Sequence, residues 1–139
     1  MLNYGYSVLA GEISKFVCGI GLDSYFGFMH KFHTGFQPLV YDLMEPFRRL
    51  VDYSVLKITT NKDHKQRIRL KDYAHTKDGK VVLDYSLIKR FLEMLERVFQ
   101  QKRRYEFRHG AKTKDGLKNV QEITVAKILI QNLLIIVLV

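Results

Sequence analysis

The chain has 139 residues and a net charge of +9, from 23 lysines and arginines against 14 carboxylates. That length holds one domain with a real core, and 47% hydrophobic with 27% charged residues is the composition of a soluble globular protein, not of a disordered tail. The single cysteine, Cys18, excludes an internal disulfide framework, fits a reducing cytoplasm and reads as a small core residue; no basic start followed by an apolar run marks a signal peptide.

The charge is unevenly spread. Over residues 1–45, Lys15 and Lys31 stand against Glu12, Asp23, Asp42 and Glu45, a balance of −2 that leaves +11 for residues 46–139. An acidic pocket beside a basic body suits a metal site served by a phosphate-binding surface. The plainer alternative is an ordinary basic protein with solvated lysines.

In chain order, residues 2–18 read as an apolar helix that Gly19 and Gly21 end. Glu12 and Lys15 are its only charges, so most of its circumference is expected to be buried. A loop over residues 22–37 follows, with one helical turn around residues 25–29. Pro38 stands at the first turn of the next helix, where its missing N–H costs nothing. That helix runs to about residue 59, with a kink at Pro46. At 100° per residue Leu39, Val40, Leu43, Phe47, Leu50, Val51 and Ser54 share one face, and Tyr41, Asp42, Glu45, Arg48, Arg49 and Asp52 lie on the opposite arc.

Residues 60–80 are polar and rich in lysine and arginine. Within this stretch and just beyond it, R-I-R-L-K at 67–71 and V-V-L at 81–83 flank Asp78 and Gly79 and predict a short hairpin. Ser86 is the predicted N-cap of a helix over residues 87–104, with Leu87, Phe91, Leu92, Leu95, Val98 and Phe99 inward. A basic cluster, Lys102, Arg103, Arg104 and Arg108, follows, and residues 119–138 read as a last helix. Its apolar ending from Ile128 has twelve residues and includes Gln131 and Asn132, too short to span a bilayer, and reads as a buried core helix. The fold class expected is therefore all-α, a single helical bundle over residues 1–139 with one short β-hairpin around residues 67–83.

Residues 21–49 carry the chemistry. His30 ends a glycine-flanked loop, Asp42 follows twelve residues later, and Glu45 lies three further on. On a helix, Asp42 and Glu45 are about 60° apart and one turn along, on the polar side. A neutral imidazole with two such carboxylates is a common way to hold a hard divalent cation. Each residue also has a purely structural reading. His30 can be a packed loop histidine, Asp42 an exposed helix residue, and Glu45 the partner of Arg49 in an i,i+4 ion pair. No G-x-S-x-G elbow, Walker loop or dinucleotide fingerprint is present, and no compact helix pair suggests a helix-turn-helix reader.

The segments N-Y-G-Y-S-V-L at 3–9, G-L-D-S-Y-F-G-F-M-H at 21–30 and L-V-Y-D-L-M-E-P-F-R-R-L-V-D at 39–52 closely resemble the CRISPR-associated integrase, the first Cas protein. The likeness is to the C-terminal helical domain of that metal-dependent DNA endonuclease. It is dense over residues 2–60, continues as a pattern of basic hairpin and helices, and is weak after residue 108. The resemblance implies that His30 and Glu45 match two family ligands for Mn²⁺ or Mg²⁺, with Asp42 an accompanying catalytic acid. Lys31, Arg48 and Arg49 are candidates for holding DNA phosphate, from charge and position. The implied partners are double-stranded DNA, both captured foreign fragments and the CRISPR repeat, and the second Cas protein of the adaptation complex. Homodimers form in the family mainly through an N-terminal β-domain; no membrane is implied, and the expected location is the cytoplasm.

Two departures accompany the likeness. Ser24 stands where the family usually has proline. The family's remaining metal-binding glutamate and its β-domain lie upstream of the N-Y-G-Y segment, so this polypeptide alone is expected to be a weak or inactive catalyst. A non-catalytic DNA-binding or interaction module, or a truncated or split gene product, is the alternative.

Overall fold

The computed structural model describes residues 1–127 apart from 32, 64, 66 and 110–112, and only the backbone of residues 103–120. The first helix, α1 (Leu2–Gly19), turns Gly5, Leu9, Ile13 and Val17 inward, one residue per turn along a single stripe. Leu2 and Tyr4 are exposed, so less of its circumference is buried than its apolar composition predicts. Cys18 lies off this stripe and is exposed, which corrects its reading as a core residue.

No helical turn forms around residues 25–29, which run as turns and bends. Helix α2 (Pro38–Met44) starts on Pro38 as expected, and Pro46 shapes a 3-10 turn at Glu45–Phe47 before α3 (Arg48–Thr59). The kink follows from proline's missing N–H, which leaves no donor for the i→i−4 bond. Val40, Leu43, Phe47, Leu50, Val51 and Ser54 are buried on one face, while Leu39 is only partly so.

The connector over residues 60–72 ends in a 3-10 turn, Leu70–Asp72, and is pinned from the side by Arg90. Arg90 pairs with the buried Asp72 at 2.8 Å and donates to the carbonyls of Lys65 and Arg67. The predicted hairpin is present but shorter than residues 67–83. Its strands β1 (Tyr73–His75) and β2 (Val81–Leu83) pair antiparallel, Tyr73 opposite Leu83. Helix α4 (Tyr85–Phe99) follows, capped by Asp84 and not by Ser86: the Asp84 carboxylate accepts the Ser86 N–H at 2.9 Å and its hydroxyl at 2.5 Å. Its inward face carries Leu87, Phe91, Leu95, Val98 and Phe99; Leu92 is half-buried.

A second hairpin corrects the reading beyond residue 99. Helix α4 stops at Phe99, five residues short of the expected end. Residues 102–121 form β3 (Lys102–His109) and β4 (Thr113–Gln121), antiparallel with an irregularity between Arg103 and Tyr105. Helix resumes over residues 122–127; the rest of the helix expected over 119–138, including its apolar ending, lies outside the described residues. The domain is mainly helical, with its core between α1, α3 and α4, completed by Val125 and Ala126. No helix among the described residues is long and apolar enough to cross a membrane.

Candidate functional site

Asp42 organises the site from beneath. It is 4% exposed, which corrects its placement on the solvent side of the helix with Glu45. The helical wheel gives its angle about the axis correctly, but the loop before α2 folds back over that arc. The Leu39 N–H donates to the carbonyl of the buried Ser24, fastening the start of the loop to the start of α2. Gly27 lets the loop approach closely. A Cβ there would stand 2.4 Å from the Pro38 Cβ and 2.9 Å from Asp42 Oδ2, too near for any side chain without displacement.

With that approach, the backbone N–H groups of Phe28 and Met29 donate to Asp42 Oδ2 at 2.7 and 2.9 Å, and the His30 N–H donates to Oδ1 at 3.0 Å. The His30 ring adds a fourth contact, Nδ1 to Oδ1 at 2.5 Å. Burial pushes the Asp42 carboxyl up, but the hydrogen bonds from Met29, the His30 ring, Phe28 and the His30 backbone outweigh it and hold it below the usual carboxylate range. Asp42 is therefore ionised at neutral pH and only accepts, so Nδ1 carries the proton it shares. In the neutral imidazole Nε2 is then the nitrogen with a free lone pair, the tautomer that a carboxylate behind a histidine enforces. Phe36 and Tyr41 flank the imidazole at 5.9 and 6.1 Å between ring centres and stack on each other at 4.3 Å. His33 stacks on Phe36 at 4.3 Å.

Glu45 lies one turn beyond Asp42, half-exposed, at the start of the 3-10 turn. It pairs with Arg48 and not with Arg49 as the i,i+4 spacing suggests: Arg48 Nη1 lies 3.0 Å from Oε1 and 3.2 Å from Oε2. The 3-10 turn at Pro46 tightens the chain here, which favours the i,i+3 neighbour. Arg49 instead donates to the buried Glu122 at 2.7 Å, a contact spanning 73 positions that local spacing could not reveal. Arg48 also lies over the Tyr6 ring, 4.7 Å from its centre, and the Tyr6 hydroxyl donates to Asp52 at 2.6 Å. Lys31 is exposed next to His30. Residues that spacing did not single out are thus Gly27, whose signal is a glycine between two large aromatics, and Tyr6, one of two tyrosines flanking Gly5.

An imidazole nitrogen and a carboxylate are, in kind, donors that a divalent ion takes. Asp42, with both oxygens engaged, serves as the group that orients His30. Among the described residues no group of three or more histidines, cysteines or carboxylates stands where it could hold a metal.

Comparison with known proteins agrees with this architecture. The family model described as CRISPR associated protein Cas1 matches residues 1–97. The CRISPR-associated endonuclease Cas1 1 of Francisella tularensis subsp. novicida is 40% identical over 72 residues, 51% of this chain and 23% of the relative. The Cas1 1 endonuclease of Archaeoglobus fulgidus is 51% identical over 59 residues, 42% of this chain and 17% of the relative. A CRISPR-associated exonuclease Cas4/endonuclease Cas1 fusion of Geobacter sulfurreducens is 34% identical over 101 residues, 73% of this chain and 17% of the relative. Among solved structures, a casposase bound to an integration product superposes with a TM-score of 0.78 at 26% identity, covering 96% of this chain and 33% of the casposase. The chain thus spans under a quarter of these curated relatives' length. It belongs to the Cas1 family of CRISPR-associated proteins.

Proposed function

We propose that this chain is the helical catalytic part of a divalent-metal-dependent DNA endonuclease and integrase of CRISPR adaptation. The observation that carries the reading is the Asp42 carboxylate fixing His30 through Nδ1 while three loop N–H groups fix the carboxylate. Four donors on one buried acid set a single ring orientation and tautomer, more than a packed loop histidine needs. In this reading His30 Nε2 and Glu45 hold Mn²⁺ or Mg²⁺, and Lys31 and Arg48 meet DNA phosphate. Such an ion, when bound, supplies Lewis acidity toward a phosphoryl oxygen. His30 and Glu45 hold it weakly by themselves, since two protein ligands leave most of the coordination to water.

The casposase with the similar fold is bound to an integration product, and by that likeness the proposed substrate is duplex DNA joined or cut at a phosphodiester. The second Cas protein and homodimer formation belong to the proposal through the family alone. The second reading, a non-catalytic DNA-binding module, is favoured by the lack of a three-residue ligand cluster among the described residues. Mn²⁺ titration separates the two, with retained free-ion paramagnetic resonance as the signal. The catalytic reading expects Mn²⁺ binding that His30→Ala and Glu45→Ala each weaken at least several-fold, with duplex cleavage in Mn²⁺ falling in parallel. Binding or cleavage indifferent to His30→Ala sinks it.

A further inference from the structure

We propose that Arg48 is a built-in counter-ion for Glu45, seated by Tyr6, and that a DNA phosphate draws it away so that Glu45 can take a divalent cation. The proposal rests on reading Glu45 as a cation ligand. It makes Tyr6 a positioning residue and makes DNA and cation binding mutually reinforcing.

The geometry starts at Asp52 on α3, which accepts the Tyr6 hydroxyl at 2.6 Å and so ties α1 to α3. The Tyr6 ring held there lies under the Arg48 guanidinium, 4.7 Å from ring centre to Cζ, in cation–π contact. Arg48 Nε is buried with no hydrogen-bond partner among the described residues, so the guanidinium is held by the ring on its face and by Glu45 at one nitrogen. That nitrogen, Nη1, reaches both Glu45 oxygens, at 3.0 and 3.2 Å.

A hard cation requires a carboxylate oxygen within about 2.0–2.6 Å. A guanidinium already 3 Å from both oxygens occupies that approach and repels a second positive charge. The pair is half-exposed, with 41% of the Arg48 and 36% of the Glu45 side chain accessible, so it opens at little cost. Phosphate offers the same guanidinium two oxygens in bidentate geometry, a better match than one nitrogen on a carboxylate. When Arg48 turns to phosphate, Glu45 is left with unsatisfied negative charge, one turn along the chain from the Asp42 that holds His30. By linkage, whatever factor DNA adds to cation affinity, the cation adds to DNA affinity.

The test is Mn²⁺ titration followed by the paramagnetic resonance of the free ion, with and without a short blunt DNA duplex. His30→Ala with the same duplex serves as the blank for ions held by DNA itself. In the wild type the duplex is expected to tighten His30-dependent Mn²⁺ binding about 5-fold. Arg48→Ala is expected to tighten binding about 3-fold without DNA and to abolish the DNA effect. Tyr6→Leu removes the aromatic seat without changing charge and is expected to tighten binding in the same direction, whereas Tyr6→Phe keeps the ring and most of the wild-type behaviour. Should Tyr6→Leu fail to fold by circular dichroism, Tyr6→Phe and Arg48→Ala carry the test. His30-dependent Mn²⁺ binding that is the same in the wild type and Arg48→Ala overturns the counter-ion role and leaves the site intact. No His30-dependent binding in any variant overturns the site itself, and this inference with it.

Discussion

Asp42 shows how one buried carboxylate couples stability to the state of a neighbouring ring. It accepts three backbone N–H groups and the His30 Nδ1–H, and Asn at this position has one oxygen and brings an NH₂ against those donors. Asp42→Asn is therefore expected to cost about 2–3 kcal/mol, the scale of losing charge-assisted bonds in a buried site. It is also expected to free the His30 tautomer; ¹⁵N spectra of the imidazole report Nδ1–H in the wild type and a shift toward Nε2–H in the variant. The pH dependence has a fixed sign. Because the folded-state Asp42 carboxyl sits below its ordinary value, its stabilisation is fully present above the unfolded value near ~4 and is lost as pH falls through the lower folded value. Asp72 is held low by Arg90 and the Arg69 N–H despite its burial, and adds in the same window. Thermal melts are expected to be flat above about pH 5 and to fall below ~4, with Asp42→Asn flattening part of that fall. A melting temperature that rises on acidification contradicts this account. Spacing marked out His30, Asp42 and Glu45, and the structure joins the first two. Their roles were not legible in the sequence, because a wheel gives an angle about an axis and says nothing of the loop that Gly27 allows to cover Asp42.

At the scale of elements, helix α1 lies unusually close to its neighbours, and a single glycine sets that distance. A Cβ at Gly5 would stand 2.5 Å from Val51 Cγ1 on α3 and 2.9 Å from Phe91 Cζ on α4, both inside the core. Gly5→Ala gains about 1 kcal/mol of helix propensity, yet overpacking a filled core costs about 1–3 kcal/mol. Since both neighbours are themselves nearly fully buried and cannot swing out, the steric side wins. The variant is expected to be up to about 2 kcal/mol less stable by urea unfolding. A more stable Gly5→Ala would mean that α1 is free to shift. Pro38 and Pro46 made the helix boundaries readable, because each acts through its own missing N–H. The β3–β4 hairpin was unreadable for the opposite reason. The segment T-K-D-G-L-K-N-V-Q has no apolar alternation, and K-R-R continues the good helix formers of α4, so the strand state is decided by the partner strand and not by local preference. Likewise Asp84 and Ser86 are both favourable caps two residues apart, and only the extended backbone at Asp84 selects between them.

For the molecule as a whole, the +9 charge reads as an attraction for polyanions, but the structure divides apparently equivalent cations by what they already hold. Arg48 and Arg49 are neighbours in sequence with the same charge. Arg48 is seated on Tyr6 and reaches Glu45 at the surface; Arg49 is bonded to Glu122, which is 1% exposed and comes from the far end of the described chain. Drawing Arg48 to a phosphate breaks a half-exposed pair worth under about 1 kcal/mol. Drawing Arg49 away strips a buried carboxylate of an ionic partner, which costs more than a surface phosphate contact returns. The two arginines are therefore expected to separate cleanly. Arg48→Ala lowers the slope of log affinity for duplex DNA against log salt by about 1, the contribution of one released counterion, with little change in melting temperature. Arg49→Ala leaves that slope where it was and costs about 1–2 kcal/mol of stability, discounted for the half-exposed guanidinium. Fluorescence anisotropy between about 50 and 200 mM salt measures the first effect and denaturant unfolding the second. A slope that Arg48→Ala leaves unchanged, or a larger fall for Arg49→Ala, contradicts this division of the two arginines.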